Sequence, residues 1–237
     1  MNAKEYYKTI SEATHTIFEV SVNHCNFLGK LYDYSASIQE WMDVIPSSQE
    51  KQMIDYSLEQ VEFSCLSLLS GMYRQSFASL RLSLELLFGS VYFSAYRLEY
   101  LEWKNGSRDL KWQTINDENN GVLSQRFSNV FFPELSTHIN AHRNTANSVY
   151  RELSEFVHGN YSTWNREKPS LSVNENLIEQ YRQRFQLISS TCHFLLSMRY
   201  LKEIEPQRLH KIEVHVMDEL QYIPEIRLFF GGAVEGK

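Results

Sequence analysis

The stretch from Arg74 to Tyr96 is too apolar to lie on a surface. On a helical wheel of about 100° per residue, Phe77, Leu80, Leu84, Leu87, Phe88 and Val91 form one stripe. Leu82 and Leu86 occupy the other side, and Ser76, Ser79, Ser83 and Ser90 fill the gaps with small side chains. A helix apolar over most of its circumference sits centrally in its fold. One polar row interrupts it, made of Arg74, Arg81 and Glu85, with Arg81 and Glu85 spaced i,i+4 for direct pairing. Buried charge is costly unless paired. The row therefore predicts either an ion pair tying two helices together or one wall of a functional cleft.

The rest of the chain also reads as helix. Helical apolar spacing spans residues 3–41, through Tyr6, Ile10, Ala13, Ile17, Val20, Phe27, Leu28 and Leu31, and Pro46 ends it. Ser47 and Glu50 form a capping-box pattern that opens a helix over 50–72, with Gly71 a break or a point of close packing. The central helix is expected over 73–103, stopped by Lys104-Asn105-Gly106-Ser107. Residues 106–121 read as an irregular loop, followed by a short helix near 122–130 and, after Pro133, a further helix over 136–158. Gly159-Asn160 is a helix stop. Ser172 and Glu175 repeat the capping box before a long helix whose buried stripe is Leu177, Tyr181, Phe185, Ile188, Cys192 and Leu195. Beyond Pro206 one short helix is expected, and 212–216 reads equally well as a strand.

Nine glycines and five prolines in 237 residues are too few for a turn-rich β protein. No repeat and no Gly/Ser/Pro-rich linker divides the chain. The expected fold is all-α, a single-domain bundle of about five to seven helices, several long and antiparallel, with residues 1–205 as its body and 206–237 as a C-terminal extension.

A net charge of −6 excludes a broad, charge-driven nucleic-acid coat but leaves room for a small basic cleft. Cys25, Cys65 and Cys192 form no Cys-x-x-Cys pair, which argues for reduced thiols and a cytoplasmic setting. The first residues show no signal-peptide pattern, and no apolar run reaches ~18 residues, so no membrane association is expected. Phosphate-loop, dinucleotide and nucleophile-elbow motifs are absent, and no cofactor is expected. His138 and His142 are spaced i,i+4, but His-Ile-Asn-Ala-His lacks the glutamate of zinc peptidases, and no metal is expected. His210 and His215 read as surface residues. Cys192 and His193 point about 100° apart on a helix, a poor nucleophile and base pair. Trp103, Trp112 and Trp164 lie near the polar loops, where they pack the core or stack a base.

The residues that carry chemistry are Arg151 and His158. Seven residues is two helical turns, so they lie about 20° apart on one face. Asn144, Asn147, Ser148 and Glu155 share it, while Ala146, Val149, Leu153, Phe156 and Val157 lie opposite. Arg151 paired to Glu155 on a solvated face is one reading. The other is a functional face, because it is rich in neutral hydrogen-bonders, and His158 sits in the last turn, where the helix dipole attracts an imidazolium.

The stretch YRELSEFVHGN, residues 150–160, resembles the Arg-x4–6-His signature of the HEPN superfamily. The upstream YRQSFASLRLSLELL is similar to a helix of allied bacterial families, many of them abortive-infection or toxin proteins. The resemblance covers about a third of the chain and implies a metal-independent endoribonuclease in cellular defence, acting as a homodimer with a composite site. It assigns proton transfer to His158 and stabilisation of phosphate charge to Arg151. Arg143, Asn147 and Ser148 would position phosphate, and Arg81, Glu85 and Glu155 would support the site. RNA is the implied substrate, and a partner protein or antitoxin the implied regulator. Two features depart from the commonest pattern: the six-residue spacing is the longest of the range, and Glu152 stands where Asn, Asp or His is common. They favour the alternative, a non-catalytic helical module that binds a partner protein or a nucleotide.

Overall fold

A computed structural model describes residues 2–46, 48–163 and 172–233. Among them the chain is all-α, with no strand. Eleven α-helices occur there: α1 Ala3–His24, α2 Leu28–Val44, α3 Ser48–Leu69, α4 Tyr73–Ala95, α5 Arg97–Lys104, α6 Trp112–Ile115, α7 Gln125–Phe131, α8 Ile139–Val157, α9 Glu175–Tyr200, α10 His210–Leu220 and α11 Pro224–Phe229.

Eleven exceeds the expected five to seven because two predicted helices are each split by packing, without proline or glycine, because α6 forms inside the expected 106–121 loop, and because the tail holds α10 and α11 where one helix was expected. The first breaks at Cys25–Phe27, where Cys25 and Phe27 turn inward and Phe27 meets the Tyr181 ring at 6.0 Å. The helix expected over 73–103 breaks at Tyr96. There Tyr96 stacks on Tyr92 at 4.4 Å and its hydroxyl donates to the Asn120 carbonyl at 2.7 Å. The helix expected from residue 136 begins as a 3-10 helix, Pro133–His138.

Helices α3 and α4 form an antiparallel hairpin around a short turn. The Ser57 hydroxyl donates to the Ser83 carbonyl and the Ser64 hydroxyl to that of Ser76, so one residue number rises as its partner's falls. Gly71 turns the corner at φ 74°, a region in which glycine carries no Cβ penalty. Helix α4 then runs antiparallel to α8, and α8 antiparallel to α9.

Two helices are central. Every residue from Leu86 to Phe93 of α4 is buried, and so is every residue from Thr191 to Tyr200 of α9. The apolar stripe anticipated one face of α9, whose second half is buried all round. Burial all round favours partners for its polar groups, although Ser197 Oγ has none among the described residues. His193 hydrogen-bonds the Ser189 carbonyl and the Ser37 hydroxyl, both at 2.8 Å, and desolvation lowers its pKa. Arg199 donates to Ser94 at 2.7 Å and packs over Phe131. Cys192 is core, its thiol pushed up to about 12 by burial.

The N-cap of α9 is Asn174, not Ser172: its side chain accepts from Leu177 N at 3.0 Å, while the Ser172 carbonyl accepts from the Tyr73 hydroxyl. The Ser47 half of the other capping box lies outside the described residues, as does Trp164. Residues 212–216 are helical, and Ile212, Val216, Leu220 and Ile226 join the common core. Helix α1 stands apart. Among the described residues nothing before Ile17 is buried, and Tyr6 and Ile10 lie exposed on the line that Ile17 carries into the core. No described helix is long and apolar enough to cross a membrane.

Candidate functional site

Helix α8 is held from three sides. Along α4, Arg74 donates to the Phe156 carbonyl at 2.6 Å and to the Thr163 hydroxyl at 3.0 Å. Arg81 donates to the Ser154 hydroxyl at 2.9 Å, pairs with Glu85 at 3.0 Å and reaches the Tyr150 hydroxyl. Tyr150 in turn donates to Glu85 at 2.7 Å, and desolvation together with that carboxylate pushes its phenol up to about 12. The polar row of α4 is thus a half-buried seam against α8. Of the two readings, the geometry gives the tie between helices. From the α9 side, Arg184 pairs with Glu152 at 3.0 Å, and the Ser148 hydroxyl donates to the same carboxylate at 3.1 Å.

The third side is α6. Trp112 stacks on Tyr150, rings 4.2 Å apart and 4° from parallel. Being buried in that stack, Trp112 has no face to offer a base. Trp103 is half-buried against Phe93. The Trp112 indole N–H and the Asn116 side-chain amide both donate to Oδ1 of Asn147 at 2.9 Å. An indole nitrogen only donates, so the orientation of the Asn147 amide is fixed: its NH2 faces solvent.

That amide starts an exposed row. Arg151 follows one turn on and His158 two turns later, both exposed. Neither makes a side-chain hydrogen bond or ion pair among the described residues, so Arg151 is not paired with Glu155, which lies half-buried beside it. His158 is the C-cap of α8. Gly159 follows at φ 69°, and Asn160 N donates back to the Glu155 carbonyl at 3.2 Å, closing the helix end. Arg143, at the other end, is engaged with the 117–120 loop through the Glu118 carboxylate at 2.9 Å and with Asn140 at 3.1 Å.

The structure therefore brings Asn147, Arg151 and His158 together on an open face. Arg81 and Glu85 lie behind them, and Ser148 and Arg143 are turned to other partners. Trp112, Asn116 and Tyr150 were missed as supporting residues. Tyr150 carried a faint signal, one residue before Arg151 and i,i+4 to Ser154 on the flank facing α4.

Among the described residues, no three His, Cys, Asp or Glu side chains converge as a metal site. His138 pairs with Glu225 at 3.0 Å, whereas His142 stacks on Phe194 at 3.8 Å and meets the Tyr222 hydroxyl. Two sizeable grooves lie elsewhere, of about 490 Å³ between α2 and α3 and about 560 Å³ between α3 and α5. In comparisons with known proteins, the chain matches no family model, no curated protein and no solved structure.

Proposed function

We propose that the chain is a HEPN-like, metal-independent endoribonuclease, a defence or toxin effector of the cytoplasm in which two copies bring their α8 faces together. One observation carries the reading. The exposed row presents the outward amide of Asn147 and the guanidinium of Arg151, which is unpaired among the described residues; both are hydrogen-bond donors suited to a phosphate oxygen. His158, on the same face, is the proton-transfer group.

In the proposed reaction the ribose 2′-oxygen attacks phosphorus and the bond to the 5′-oxygen breaks. His158 takes the 2′ proton or supplies one to the leaving oxygen, with water making the other transfer, and Arg151 stabilises the charge gathering on phosphate. The products are a 2′,3′-cyclic phosphate and a 5′-hydroxyl. An open, convex helix face leaves substrate half-enclosed, and a second copy would close it, doubling its arginines. A partner protein or antitoxin covering α8 would silence it.

Glu152 favours a second reading, a non-catalytic interaction module. The residue after Arg151 serves the contact between α8 and α9 through Arg184, a purely architectural task.

RNA cleavage in EDTA by wild type and His158→Ala, both folded and equally oligomeric, separates the two. Cleavage by wild type alone supports the nuclease. Cleavage by neither, across several RNA pools, supports the module.

A further inference from the structure

The groove between α3 and α5 has a chemistry that the α8 face does not share. Its apolar wall is Met53, Leu86, Tyr100 and Trp103. Its polar wall is α3, where Asp55 and Glu59 stand i,i+4, exposed, and without an ion-pair partner among the described residues. Glu50 lies deeper on the same helix. It is only 8% exposed, and its Oε2 is buried with no hydrogen-bond partner among the described residues. Glu50 lines a narrow void that shares Gln49, Met53 and Tyr100 with the groove. A buried carboxylate oxygen without a donor is a costly arrangement.

The aromatic wall points to the same charge. Arg97 lies 5.1 Å and Lys104 6.0 Å from the centre of the Tyr100 ring, so that ring already draws cations. Lys104 stands at the rim, the one cation lining the groove among the described residues, against the carboxylates of Asp55 and Glu59. At about 560 Å³ the space suits a small organic molecule, within the usual range for ligand pockets of ~300–1,000 Å³.

We propose that this groove binds a small organic cation, an ammonium group carried on an apolar or aromatic body. The body lies against Tyr100, Trp103, Met53 and Leu86, and the ammonium faces the α3 carboxylates. The α8 face, rich in donors, would select the opposite charge.

The test titrates the full chain with phenethylammonium, using 2-phenylethanol and phenylacetate as neutral and anionic controls. The readout is the indole N–H resonance of Trp103, assigned with Trp103→Phe. The ammonium should shift it saturably at millimolar concentration. The alcohol should bind about fivefold more weakly, the loss expected of an exposed ion pair, and phenylacetate more weakly still. The doubly substituted Asp55→Asn/Glu59→Gln protein should lose a similar factor. Both residues are exposed, so its fold is secure even if Glu50→Gln proves unstable. Lys104→Ala should tighten binding. Equal affinity for the alcohol, preference for phenylacetate, loss of binding in Lys104→Ala, or no saturable shift would each overturn the proposal.

Discussion

Tyr150 lies flat on Trp112, ring centroids 4.2 Å apart and planes 4° from parallel, while its hydroxyl donates to Glu85. One side chain thus joins α8 to both α6 and α4. Tyr150→Phe keeps the stack and removes the hydroxyl that donates to Glu85. It should cost about 1–2 kcal/mol in chemical denaturation, the loss expected when a half-buried carboxylate gives up a partner. Glu85→Gln should not add to it in full, because both substitutions break the same network.

Arg151 and His158 should matter little to stability. Both are exposed and make no side-chain hydrogen bond or ion pair among the described residues. Arg151→Ala and His158→Ala should each stay within ~0.5 kcal/mol of wild type in denaturant melts. A larger loss would mean that the face is structural, and would remove the ground for the proposed nuclease.

His142 should shape the acid limb of stability. Burial against Phe194 lowers its pKa from 6.5 to about 4, with His138 contributing. Above 6.5 the ring is neutral in both states and costs nothing. Between about 6.5 and 4 only the unfolded chain binds the proton, so stability falls as pH falls through this window. The accumulated loss is on the order of 3 kcal/mol once the pH reaches about 4, at about 1.4 kcal/mol for each pH unit crossed. His142→Phe should flatten this limb. The difference between the two proteins isolates it from His193, whose depressed pKa acts in the same direction.

Gly121 should tolerate no side chain. A Cβ there would lie 2.6 Å from the backbone oxygens of Asp117 and Ile115, atoms that cannot swing aside. Gly121→Ala should cost about 3 kcal/mol, the upper end for overpacking. It should also loosen the loop that engages Arg143, a change visible in the amide resonances of residues 117–120.

Periodicity conveyed the helices and the i,i+4 pairing of Arg81 with Glu85, because both are local. The breaks at Cys25–Phe27 and Tyr96 were hidden, since the first forms where Phe27 meets Tyr181 of α9 and the second where the Tyr96 hydroxyl reaches the Asn120 carbonyl, contacts distant in sequence. The same limit applies at the candidate site. Spacing placed Arg151 and His158 on one face. The residue that fixes Asn147 is Trp112, thirty-five positions away, and only the fold brings it close.

Helix α1 leaves the body about where Ile17 enters it. Its first fourteen or so residues have their own capping box at Asn2 and Glu5 but no buried side chain, and a helix of about that length is marginal in water. Its N-terminal amides should therefore exchange with deuterium through local opening, decoupled from the protein's global unfolding. Those around Ile17 and Ser21 should exchange only as slowly as the domain itself opens. One continuous helix thereby belongs to two cooperative units, with the boundary falling inside it.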